Sequence, residues 1–66
     1  MKYVKERNFV KKIFDEHQIE LKKSTIEIIE SCEKNGGLLW VTFKDRFGKE
    51  YEVSVSGGKT KIKELT

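Results

Sequence analysis

The sequence predicts a single α+β domain over residues 1–66: two helices packed on a three-stranded antiparallel meander, in the order ααβββ. Three observations carry this. A helical stripe of apolar residues opens the chain. The stretch Leu38–Val55 then alternates apolar and polar residues on either side of Asp45-Arg46-Phe47-Gly48. Turn residues, Asn35-Gly36-Gly37 and Ser56-Gly57-Gly58, bracket that stretch.

The first helix is expected over about residues 3–17. Phe9, Val10, Ile13, Phe14 and His17 recur at helical spacing and make one face, with Lys5, Lys11, Lys12 and Asp15 off it. Ile19 and Leu21, two residues apart, read as a short extended link whose side chains tuck under the sheet.

Residues 25–34 carry two competing patterns. Ser24-Thr25-Ile26-Glu27 matches a capping box, Thr25, Ile28, Ile29 and Cys32 follow at helical spacing, and a glycine pair ends the run; together these start and stop signals favour a second helix. Against this, Thr-Ile-Glu-Ile-Ile is rich in β-branched residues and Asn-Gly is a hairpin signal. The alternative is one helix plus four strands.

The hairpin follows. Leu39, Val41 and Phe43 on one arm and Tyr51, Val53 and Val55 on the other are expected to face the core. Asp45 and Gly48 suit the first and last positions of a turn. After Gly57-Gly58, Lys59–Leu65 reads as a last strand with Ile62 inward and Lys61 and Lys63 outward, as suits an exposed edge.

Composition restricts function. A chain of 66 residues has a thin core, and one cysteine and one histidine supply neither an internal disulfide nor a closed zinc site. Such a domain leans on well-made packing or on a second copy of itself, so a homodimer is a reasonable expectation. No apolar run approaches the ~20 residues that span a bilayer, and the charged start Met1-Lys2-Tyr3-Val4-Lys5 is not a signal peptide. A cytoplasmic protein without membrane association is expected. Charge is zoned: residues 1–12 hold five bases against one acid, residues 13–33 two against six, and residues 34–66 seven against four.

Catalysis is not expected, nor is a cofactor or metal. His17 reads as a boundary residue at a helix C-terminus and Cys32 as a small hydrophobe, while Glu27, Glu30 and Glu33 read as a solvated helix face. Gly57-Gly58-Lys59-Thr60 resembles the end of a phosphate loop, but Val53 stands where the motif requires glycine. A winged helix would need a third helix, and its recognition helix would carry those three glutamates towards phosphate.

What remains is surface. If alternate residues of the meander face the core, Leu38, Trp40, Thr42, Lys44, Glu52, Ser54, Lys61 and Lys63 face away. A tryptophan outside the core suits a protein interface. The expected function is a small non-enzymatic interaction module that binds another protein, can self-associate, and acts as an accessory or inhibitory protein. Its expected contact residues are Trp40, Lys61 and Lys63 on the sheet and Arg46 and Phe47 at the hairpin tip. The alternative is nucleic-acid binding, chiefly through Lys2, Lys5, Arg7, Lys11 and Lys12 of the basic first helix and through the last strands.

Overall fold

The computed structural model describes residues 2–66. It takes the alternative architecture: one helix, α1 (Val4–Glu16), and a four-stranded antiparallel sheet of β1 (Glu27–Lys34), β2 (Gly37–Lys44), β3 (Glu50–Ser56) and β4 (Lys59–Glu64), paired in sequence order. The second helix expected over 25–34 is corrected to a 3-10 turn at Lys23–Thr25 followed by β1. The capping box does not form; Thr25, not Ser24, turns the chain, its Oγ1 donating to the Lys22 carbonyl at 2.7 Å. The physical reason lies in Asn35-Gly36. Both residues have positive φ, 55° and 79°, and Lys34 pairs with Gly37 across them. That is the two-residue hairpin turn whose twist matches its strands. The same glycine would serve a helix C-terminus, so the local signal is shared. The ladder to β2, and the β-branched Ile26, Ile28 and Ile29, decide for strand. Gly57 and Gly58, at 57° and 78°, repeat this turn between β3 and β4.

The helix is where the stripe predicted it. Val10, Ile13 and Phe14 are buried against Ile26, Ile28, Val41, Phe43 and Val53, with Phe9, Leu21, Leu38, Tyr51, Val55 and Ile62 around them. Burying side chains of this size stabilises by roughly 1.5–3 kcal/mol each. The helix crosses the strands from β1, where Lys5 pairs with Glu33, to β4, where His17 Nε2 lies 3.0 Å from Thr60 Oγ1. Its C-terminus closes in a Schellman motif: Ile19 N–H reaches the Phe14 carbonyl at 2.9 Å and Gln18 N–H the Asp15 carbonyl at 3.0 Å. Gln18 occupies the left-handed position, φ 60°, that glycine usually fills.

The β1–β2 hairpin holds two bulges that cancel. Pairing runs Ile28↔Phe43, then Glu30↔Thr42, leaving Ile29 unpaired on β1; it runs Cys32↔Trp40, then Glu33↔Leu38, leaving Leu39 unpaired on β2. A bulge shifts which residues face which side. One expectation is thereby reversed: Leu38 packs on the core, whereas Leu39 leaves it and is 37% exposed. The link from α1 to β1 is also split, since Leu21 packs on the core and Ile19 stays exposed. No helix among the described residues is long and apolar enough to cross a membrane.

Candidate functional site: an open sheet face and a hairpin tip

Among the described residues, only one face of the sheet is covered. Val41, Phe43 and Val53, all fully buried, point at α1. The intervening residues therefore point away, and the strand register sets them in rungs. One rung runs Cys32, Trp40, Ser54, Lys61 and the next runs Glu30, Thr42, Glu52, Lys63. Trp40 stands on an inner strand, half-buried. Small Ser54 separates it from Lys61, two strand spacings or roughly 10 Å away. Ile29, 47% exposed, and Leu39, set free by the bulges, add to Trp40 and Cys32 on the β1–β2 side of this face. Lys59, Lys61 and Lys63 line the β4 side, and none of the three ion pairs among the described residues involves them. The face thus carries its apolar residues towards β1 and β2 and a lysine column on β4, with Glu30, Glu50 and Glu52 set among them.

Cys32 and the glutamates change setting with the strand. Cys32, expected on a helix stripe, is half-buried opposite Trp40. Glu27, Glu30 and Glu33, expected along one helix face, are exposed on an edge strand, and Glu33 turns to the helix side to accept from Lys5 Nζ at 2.8 Å.

The hairpin tip belongs to a different surface. Asp45–Lys49 form a five-residue loop in which Asp45 Oδ1 accepts from the backbone N–H groups of Phe47 (2.8 Å) and Lys49 (2.9 Å). Gly48 N–H donates to the Asp45 carbonyl at 3.1 Å, and Gly48 has φ 85°. The turn holds Phe47 out at 79% exposure, with the Arg46 guanidinium 4.9 Å from its ring centre. Arg46 and Phe47 stand at the lip of a groove on the helix-covered side, open and about 430 Å³. The structure does not join them to Trp40, Lys61 and Lys63.

The basic helix residues are partly committed. Arg7 is a clamp: its Nε donates to the Lys2 carbonyl (2.9 Å), and its Nη1 donates to the carbonyls of Lys23 (2.8 Å) and Ile26 (2.6 Å). It thereby ties the N-terminus and the entry to β1 onto α1. Lys11 pairs with Asp15 at 2.6 Å. Lys5 and Lys49 both have pKa values raised above the ordinary 10.5, because each donates a hydrogen bond to a glutamate, Glu33 and Glu64 respectively. Lys2 and Lys12 remain exposed and outside any ion pair found among the described residues.

Ile29, Leu39 and Cys32 are the surface residues that sequence reasoning missed. The signal for them was the Asn35-Gly36 hairpin, which turns residues 27–34 into a strand beside Trp40. No family model matches this chain, and neither a curated protein nor a solved structure matches it.

Proposed function

We propose that this chain is a small non-catalytic protein-binding module, accessory or inhibitory in role, whose recognition surface is the uncovered face of the sheet. The observation that supports this most is the pairing of an apolar strip (Ile29, Leu39, Trp40) with a lysine column (Lys59, Lys61, Lys63) that forms no ion pair among the described residues. The partner it fits is a protein surface with an apolar centre and an acidic flank. Trp40 is the anchor, since a large half-buried aromatic gains contact area at little cost in side-chain freedom. The lysines steer and orient the partner more than they hold it.

Binding to phosphate backbones is the weaker reading. Arg7 spends its donors on three carbonyls, and Lys5 and Lys11 are paired. The open face also mixes Glu30, Glu50 and Glu52 with its lysines.

The test is capture on immobilised protein with nuclease-treated extract, comparing the native chain with Trp40→Ala and with Lys61→Glu/Lys63→Glu. The expected result is a partner lost with Trp40→Ala and weakened by the lysine reversal, with modest salt dependence. Equal capture by all three proteins removes the outer face as the binding surface. Capture that requires nucleic acid and collapses as salt rises moves the assignment to phosphate contacts.

A further inference from the structure

The groove beside the hairpin tip has an unusual relation to its own lip. Beneath it lies a cluster of three rings, Phe14 and Phe43 buried and Tyr51 half-exposed to the groove: Phe14 lies edge-on to Phe43 (5.7 Å between centres) and to Tyr51 (6.3 Å), and Phe43 stacks on Tyr51 (5.4 Å). Ile19 and Leu21 of the segment between α1 and β1 line it as well. At its mouth stands Phe47, the most exposed of the large apolar side chains among the described residues. An apolar receptor, formed at its surface by Tyr51, Ile19 and Leu21, and an unburied aromatic anchor thus share one patch.

We propose that two copies of this chain associate about a two-fold axis, the Phe47 of each entering the groove of the other. A two-fold contact uses the same patch twice, so it needs anchor and receptor side by side, as here. The charges at the rim are balanced, Glu20 and Asp45 against Lys22 and Arg46. A second copy meets no excess of its own sign, and the two-fold can set Arg46 against the partner subunit's Glu20. A groove built for a charged ligand would carry one sign in excess.

The anchor is also prepared. The Asp45 carboxylate and the Gly48 turn hold the loop before any contact is made, so docking Phe47 orders little new backbone. Association would cover both Phe47 and Ile19, two of the more exposed apolar side chains of the protein. This dimer uses the lip of the helix-covered layer. It leaves both outer faces free, and it stands or falls apart from the outer-face reading.

Sedimentation velocity from micromolar to high-micromolar concentration tests it, on the native chain, Phe47→Ser, Trp40→Ala, Arg46→Glu and the Arg46→Glu/Glu20→Arg double variant. Far-UV circular dichroism checks that each is folded. The expected result is a concentration-dependent dimer whose dissociation constant rises about tenfold or more in Phe47→Ser, as for an interface anchor. Arg46→Glu should weaken it, the double variant should recover it, and Trp40→Ala should leave it intact. A native chain that stays monomeric throughout overturns the proposal. So does a dimer that tolerates Phe47→Ser, whether or not Trp40→Ala breaks it.

Discussion

Val41 and Trp40 are neighbours on one strand, and they live in different environments. Val41 is sealed beneath α1, while Trp40 stands half-buried on a face that none of the described residues covers. The two faces of this sheet share the same backbone and the same hydrogen bonds. They differ because one helix of thirteen residues is available and a sheet has two sides. The segment that could have been a second helix becomes β1 instead, which widens the sheet and enlarges the open side. Using Glu27–Lys34 as a strand therefore completes the inner core with Ile28 and places Ile29 on the outer face, both from one choice. A helix there would have hidden apolar surface; a strand displays it.

The contrast can be broken first at its deepest point. Phe43→Ala removes a fully buried ring that touches Phe14 and Tyr51 and should cost about 3–5 kcal/mol. A chain of this length holds only about 3–10 kcal/mol in all, so urea titration should find the variant largely unfolded. The sharpest comparison follows at the adjacent pair. Val41→Ala deletes two methyl groups and should cost about 2–3 kcal/mol, whereas Trp40→Ala deletes a whole indole yet should cost about 1 kcal/mol or less. If Trp40→Ala proves the more damaging in parallel urea titrations, the outer face is a second core and not a binding surface. Third is the Arg7 clamp, whose removal in Arg7→Ala should lower stability by about 1–2 kcal/mol, with Arg7→Lys recovering only part because it cannot fork between carbonyls. The loss should appear as faster amide exchange at the entry to β1. Smallest, and opposite in sign, is Gln18→Gly: relieving a left-handed glutamine should raise the unfolding midpoint by an amount worth about 0.5–1 kcal/mol.

Much of the covered side is legible in the sequence. The stripe Phe9, Val10, Ile13, Phe14 and the alternation Val41, Phe43, Val53 are patterns set by 3.6- and 2-residue periods, and the core follows them. The 25–34 segment was not settled by pattern, because a glycine past a helix and a glycine in a hairpin turn need the same positive φ. Only the tertiary partner, β2, separates the two. Leu38 and Leu39 exchanged roles for a related reason: a bulge is fixed by pairing across strands, and a single strand's sequence does not display it. Trp40, Lys61 and Lys63 shared a face because their spacing is even. Arg46 and Phe47 could be seen to lie at a tip, but the groove beside them is assembled from α1, the following segment and two strands, elements far apart in the chain.

The cancelling bulges have a consequence for how this sequence can change length. Ile29 is an extra residue on one strand and Leu39 an extra residue on the other, so the three rungs between them run one step out of phase with the rungs on either side. Deleting either residue alone removes its own bulge and leaves every pair of the ladder, the Asn35-Gly36 turn and the other bulge in place. Deleting both restores a plain ladder that fits the same turn and the same ends, keeps every other residue on its side, and takes two apolar side chains off the open face. The hairpin therefore tolerates loss of the two bulged residues, singly or together. Each such deletion trims the open face while leaving the covered one in place.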